Sequence, residues 1–169
     1  RARCENYAGL GFPRCYDEHK GSDFILVDGF SAMDEGSADV VAAADGVVTS
    51  IEQDQYDRCH VAGTSVSCDG NPMIANHVIL RHADGTHTMY WHLMRDSVLV
   101  AVGDAVVCGQ PMALVGSSGN SSMPHLHFQV ELAPDDVVLD PYAGPSSQAQ
   151  SWWREQDGPF GLPGQRCGG

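Results

Sequence analysis

The 169-residue chain is long enough for one domain with a real core and too short for two independent catalytic domains. With 43% hydrophobic and 18% charged residues, and no apolar run near the roughly 18 residues of a membrane span, it fits neither a disordered tail nor an integral membrane protein. Nine basic against 22 acidic residues leave a charge of −13, with Lys20 the only lysine, which argues against nucleic acid, anionic lipid or a polyanionic wall as electrostatic partners.

Nineteen glycines and nine prolines punctuate short apolar runs, the pattern of an all-β domain of brief antiparallel strands with few or no helices. In chain order, Gly21 and the Phe24–Val27 run suggest a loop entering a strand. Val40–Ala44, Asp45-Gly46 and Val47–Ile51 read as strand, tight turn and strand, and Asp84-Gly85 repeats that chemistry between Met73–His82 and Thr86–Met94, so two hairpins are expected. Further strands fall at Val98–Val107 and Gln110–Val115, followed by the loop Gly116-Ser117-Ser118-Gly119-Asn120-Ser121-Ser122 and a strand over His125–Leu132. Beyond it Pro134, Pro141, Pro145, Pro159 and Pro163 make an irregular tail anchored by Trp152-Trp153. No linker or repeat divides residues 1–169, so a single domain is expected, with 143–169 packing on the core as a tail.

Six cysteines without a C-x-x-C pair point to disulfides rather than a thiolate zinc site. Of 15 possible connectivities, loop lengths favour Cys4 with Cys15, Cys59 with Cys68 across a hairpin-like loop, and Cys108 with Cys167. Disulfides persist in secreted or periplasmic settings, and the start at Arg1 lacks the apolar core of a signal peptide, so removal of a targeting or pro-segment is expected.

Alternation puts His125, His127, Gln129 and Glu131 on one face of their strand and Leu126, Phe128, Val130 and Leu132 on the other. Two imidazoles at i and i+2 can share a metal, or divide into ligand and acid/base. His19 and Asp23 place an imidazole and a carboxylate four apart, and a distant histidine would complete an N/N/O metal set with an open fourth position. On the hairpin strand, alternation groups Thr88, Tyr90 and His92 on a polar face, where His92 could shuttle protons or donate to an oxyanion. His60, His77, His82 and His87, in loops or near turns, read as solvated or structural. The serine-glycine loop leads into a strand and lacks a P-loop lysine, so it reads as a groove wall rather than a phosphate cradle.

In combination, His19-x-x-x-Asp23, Tyr90-x-His92-Leu93 and Pro124-His125-Leu126-His127-Phe128 resemble the signature of the lysostaphin/LytM-type zinc endopeptidases, peptidase family M23. The likeness extends to Val40–Val48, Val78–Gly85 and Val102–Gln110 and covers about residues 15–142. It implies a compact antiparallel β domain with a long groove, one Zn²⁺ per chain held by His19, Asp23 and His127, and His92 and His125 as the two histidines that do not bind the metal. Asn76 is similar to groove-lining sequence in the family, and with Tyr90 it is a candidate substrate contact. The sequence departs from the family at Ser22, over Asp28–Asp39 and in the Cys59–Cys68 loop, which bears on the groove walls and substrate choice.

The resemblance further implies hydrolysis of peptide bonds in bacterial peptidoglycan, in stem peptides or cross-bridges, by a chain expected to be a monomer. There is no His-Glu-x-x-His, and Glu131 lies roughly 13 Å from His127 along an extended strand. A histidine therefore takes the base role: His125 first, with His92 opposite it, or the two exchanged. Two other readings stand beside this one. A non-catalytic relative would activate another wall enzyme, though such regulators typically lack the ligands, and a secreted protease would act on glycine-rich proteins.

Overall fold

The computed structural model describes residues 19–134, 137–144, 148–156 and Cys167. Its strands are β1 (Ser22–Ile25), β2 (Asp39–Val41), β3 (Gly46–Glu52), β4 (His60–Ala62), β5 (Ser65–Ser67), β6 (His77–Arg81), β7 (Thr86–Trp91), β8 (Ala105–Val106), β9 (Pro111–Leu114), β10 (His125–Leu132) and β11 (Val137–Leu139), with one five-residue helix, α1 (Phe30–Asp34). That helix occupies the segment between Asp28 and Asp39, where the sequence departs from the family. The chain is all-β, as its short, turn-punctuated runs imply.

Seven strands form one antiparallel sheet in the order β1-β10-β7-β6-β3-β8, with β11 also on β10; β2 pairs with β9, and β4 with β5. The hairpin around Asp84-Gly85 forms as expected, β6 against β7. The one around Asp45-Gly46 does not. β2 joins β9 while β3 joins β6 and β8, and Asp45 Oδ1 accepts the Cys108 N–H instead of closing a local turn. A turn dipeptide reverses the chain, but the pairing partner is set by which edge buries the strand's apolar side.

Val40, Met112 and Ala113 of the small pair and Val48, Val78, Leu80, Tyr90, Phe128 and Val130 of the large sheet meet in one buried cluster. On β7 the buried residues are Thr86, Thr88 and Tyr90, while Met89 and Trp91 take the opposite side. Tyr90 is thus corrected from a substrate contact to a core residue, 1% exposed. Its hydroxyl accepts the Ala43 N–H at 2.8 Å and sits 3.2 Å from Thr88 Oγ1. Thr88 Oγ1 is in turn 2.8 Å from Nε2 of buried His82, whose Nδ1–H donates to the Asp45 carbonyl. Burial pushes the Tyr90 phenol up to about 12.

Two of the expected disulfides are present. Cys59–Cys68 spans the β4–β5 hairpin, and Cys108–Cys167 ties the end of the chain to the loop before β9; Cys4 and Cys15 lie outside the described residues. Of the tail pair, Trp153 packs on Phe128 with ring centroids 5.3 Å apart, while Trp152 is half exposed.

Removing the hydroxyl in Tyr90→Phe strands the Ala43 N–H and should lower unfolding free energy by about 1–3 kcal/mol, measured by urea denaturation. A cost below about 0.5 kcal/mol, ordinary for a surface change, would contradict the core assignment.

Candidate active site

β1 and β10 pair so that Asp23 lies directly opposite His127, and β7 continues the row with Trp91 opposite His127. Cross-strand partners share a face, so the site lies on the side of the sheet away from the core cluster. The preceding loop swings His19 onto the same spot, and Gly21 lets it. A Cβ at that position would collide with the Phe128 carbonyl and lie 2.7 Å from His127 Nε2, so the chain between His19 and Asp23 crosses β10 only with a bare backbone.

His19 Nε2 lies 2.8 Å from His127 Nδ1, and Asp23 Oδ1 lies 3.1 Å from each. His127 Nε2–H donates to Gln129 Oε1 at 3.1 Å, which leaves Nδ1 as a lone pair facing a carboxylate oxygen and a second imidazole nitrogen. A ring lone pair facing a carboxylate oxygen at hydrogen-bond distance needs a positive centre between them, either a proton supplied by His19 or a metal ion. The spacing suits a small divalent ion with bonds of about 2.0–2.2 Å, and these are the three described residues grouped closely enough to hold one. Burial by itself raises the Asp23 carboxyl, but the His127 and His19 rings at hydrogen-bond distance, with His125 close by, outweigh it and hold the group well below the usual carboxylate range.

Two further imidazoles complete the cluster. His125 Nδ1–H donates to the Met123 carbonyl at 2.7 Å, so its Nε2 is a lone pair; this atom is buried, has no hydrogen-bond partner, and lies 3.6 Å from Asp23 Oδ1. His92 Nδ1–H donates to the Ser118 carbonyl at 2.7 Å, which again leaves Nε2 unprotonated. The His92 ring stands 4.6 Å from that of His125 and 5.9 Å from that of His127. Simple alternation would send His92 into the core beside Tyr90. Instead β7 ends at Trp91, and His92 takes a left-handed backbone with φ of 66°. That conformation costs a non-glycine residue about 1–3 kcal/mol, and it turns the ring out of the core into the site while Leu93 returns to the core.

Side-chain exposure gives the site a direction: His19 and Asp23 are 20% and 21% exposed, His125 only 6%. Solvent reaches the cluster from the His19 side, where a cavity of about 380 Å³ opens between His19, Lys20, Met89, Trp91, Gln129 and Glu131. The Trp91 ring stacks on His127 at 5.7 Å and walls this cavity. Burial pushes the His92 imidazole down to about 3, helped by the neighbouring His125 and opposed by the Ser118 carbonyl. His125 is lowered too, first by burial, with the Asp23 charge acting against it. Both rings are therefore held neutral, as a proton acceptor requires.

Asn76 does not reach the groove. It is fully buried; its amide accepts the Gln55 N–H and donates to the carbonyls of Gln55 and Leu93, so it fixes the turn just after His92 and is corrected from substrate contact to structural brace. Of the remaining histidines, His60, His77 and His87 sit in strands β4, β6 and β7 rather than in loops, and His77 meets Ser50 Oγ at 2.9 Å. The serine loop does more than wall the groove. Its Ser118 carbonyl orients His92, Ser121 Oγ lies 3.2 Å from His125 Nδ1, and Ser117 and Ser118 are fully buried. A backbone carbonyl leaves no mark in a sequence, so this role could not be read there, whereas alternation along β10 already placed Gln129 on the face of His127.

The depressed histidines make stability depend on pH. Between the free value of 6.5 and about 3 for His92 the unfolded chain binds protons that the folded chain refuses, so stability is full above pH 6.5 and falls as pH drops through that window. Urea midpoints of metal-free protein should decline from pH 7 to 4.5, and His92→Gln should decline less steeply. Equal slopes for the two proteins would show that His92 does not contribute.

The sequence profile of peptidase family M23 matches residues 17–141. Among curated proteins, the chain is 29% identical over 133 residues, 79% of its own length, to the peptidoglycan DD-endopeptidase ShyC of Vibrio cholerae, and 39% identical over 67 residues, 40% of its length, to the murein hydrolase activator EnvC of Escherichia coli. It spans only 24% and 16% of those two proteins. Among solved structures, the catalytic domain of the antimicrobial peptidase lysostaphin from Staphylococcus simulans is similar with a TM-score of 0.50 at 27% identity, covering 78% of this chain and 80% of that one. A profile match over most of the chain, on an antiparallel fold shared with a solved relative, shows that the chain belongs to peptidase family M23.

Proposed function

We propose that the chain is a zinc endopeptidase that hydrolyses peptide bonds of bacterial peptidoglycan outside the cytoplasm, with one zinc ion held by His19, Asp23 and His127. The observation that carries this reading is the convergence of those three acceptor atoms within 3.1 Å, beside two neutral imidazoles whose Nε2 lone pairs are unprotonated. An ion in that triangle supplies Lewis acidity, polarising the scissile carbonyl and making water acidic enough to attack near neutral pH.

The chain's own groups do the rest. His125 Nε2, buried and unpartnered among the described residues, accepts the proton of the attacking water. Its Nδ1–H on the Met123 carbonyl keeps that lone pair aimed at Asp23 and steadies the imidazolium that forms. With the rings 4.6 Å apart, His92 and His125 do not both carry charge, so one proton serves the pair. His92 Nε2, turned to the site by its Ser118 anchor, carries no proton at rest; it takes up the proton that the attacking water gave to His125, and in that protonated form donates to the developing oxyanion and passes the proton to the leaving amine. Trp91 closes the site on the His127 side and excludes water. The stem peptide or cross-bridge lies along the cavity past Trp91 and Met89.

The other reading, a non-catalytic relative that activates a separate wall hydrolase, is suggested by the likeness to an activator and opposed by the presence of His19, Asp23, His127, His92 and His125 together. Two disulfides with no free cysteine among the described residues support an oxidising compartment, periplasmic or extracellular.

About one zinc per chain is expected by elemental analysis, with fragments of cross-linked peptidoglycan released and identified by mass spectrometry. His127→Ala should lose the metal. His92→Ala and His125→Ala should keep it while single-turnover cleavage falls by about 10²-fold or more. Gly21→Ala, which touches no donor atom, should weaken zinc binding by crowding His127. Zinc retained in His127→Ala and absent from His125→Ala would reverse the assignment of ligand and base, and a wild-type chain that binds no zinc would end the catalytic reading.

A further inference from the structure

On the site face of β10, three buried side chains follow one another at i, i+2 and i+4: His127, Gln129 and Glu131, 6%, 5% and 7% exposed. They are bonded in series. His127 Nε2 lies 3.1 Å from Gln129 Oε1, and Gln129 Nε2 lies against Glu131 Oε1. The direction of this chain is fixed from its far end. A carboxylate only accepts, so Glu131 captures the NH₂ side of the Gln129 amide; the amide then presents its oxygen to His127, and an oxygen requires that His127 carry its proton on Nε2. What remains on the ring is the Nδ1 lone pair, the atom that faces His19 Nε2 and Asp23 Oδ1. A reversed amide would offer N–H groups to His127 Nε2, pull the ring proton to Nδ1, and put a donor where an ion should sit.

We infer that Gln129 and Glu131 are positioning residues of the metal centre: Glu131 orients the Gln129 amide, and the amide sets the tautomer and the ring angle of His127. The inference rests on the zinc reading given above. It assigns a function to a buried carboxylate that is too far along the strand to serve as the base and is not among the ligands. A structural alternative, a polar pair that merely fills space beneath Met89, would need a donor and an acceptor but no particular direction. The direction is what the test reads.

Three variants separate the two. Glu131→Gln is nearly isosteric and removes only the demand for a donor, so the Gln129 amide is free to turn. Gln129→Leu deletes the acceptor. The exchange Gln129→Glu/Glu131→Gln keeps an acceptor facing His127 Nε2–H, now a carboxylate, and reverses the bond behind it, the amide at position 131 donating to that carboxylate. Zinc affinity measured by chelator competition should weaken by about 10–100-fold in each single variant and return to within about threefold of wild type in the exchange. In metal-free protein, ¹⁵N shifts of the His127 ring should report the Nε2–H tautomer in wild type and in the exchange, and a mixture in Glu131→Gln. Urea denaturation of the same proteins controls for folding, and Glu131→Gln with the exchange carries the test even where Gln129→Leu does not fold. Single variants that bind zinc like wild type, or an exchange no better than Glu131→Gln alone, would overturn the positioning role while leaving the zinc reading intact. A wild-type chain with no affinity for Zn²⁺ would overturn both.

Discussion

Everything at this site depends on holding three hydrogen-bond acceptors, His19 Nε2, Asp23 Oδ1 and His127 Nδ1, within 3.1 Å of each other. Left to themselves these atoms repel or recruit protons, so the rest of the structure must force them together. It does so with the stiffest device a β protein has, a paired row across three strands. Asp23 and His127 are opposed by the β1–β10 register and His127 and Trp91 by the β10–β7 register. A slip of one residue in either pairing would turn Asp23 or His127 to the core side. The hydrophobic cluster on that side, Phe128 and Val130 included, opposes such a slip with the full cost of exposing its apolar side chains.

The row fixes two of the three donors, and the other site groups are set by backbone irregularities. His19 reaches in because Gly21 has no side chain. His92 reaches in because its own backbone abandons the strand. Both are local departures from regular structure that are stabilised by what surrounds them: Asn76 bracing Leu93, and the Ser118 carbonyl receiving the His92 N–H. Regular elements thus supply rigidity, and the irregular residues between them supply convergence, a division that suits a site whose parts come from four separate stretches of chain.

Period-two patterning made the β10 faces legible, with His125, His127, Gln129 and Glu131 on one side and the core residues on the other. The β6–β7 hairpin was legible from Asp84-Gly85, and two disulfides from their spacing. The same patterning failed on β7. It grouped His92 with Tyr90, and only a left-handed residue, which no propensity assigns to histidine at that point, separates them. Tyr90 was misplaced for a related reason, since a polar atom on a strand looks like a surface atom until its partner is known, and here the partner is the Ala43 N–H; Asn76, named from its likeness to groove-lining sequence, is instead held by the backbone of Gln55 and Leu93. The grouping of His19 and Asp23 with His127 was visible only through family resemblance, because residues more than a hundred positions apart are joined by sheet topology and not by local pattern. The carbonyl anchors of the two histidines were not visible at all.

The Cys59–Cys68 hairpin is bolted to the loop that carries those anchors. Cys59 N–H donates to the Ser117 carbonyl, Val61 N–H to the Ser122 carbonyl, and Ser117 Oγ–H to the Cys59 carbonyl. The loop is therefore tied to a covalently closed hairpin as well as to the strands beneath it. The cross-link closes the hairpin whose backbone holds Ser117 and Ser122, and the carbonyls of Ser118 and Met123 beside them receive the His92 and His125 ring N–H groups. A bond between two sulfur atoms outside the cluster thus bears on where its two uncharged imidazoles face, through the loop rather than through His19, Asp23 and His127.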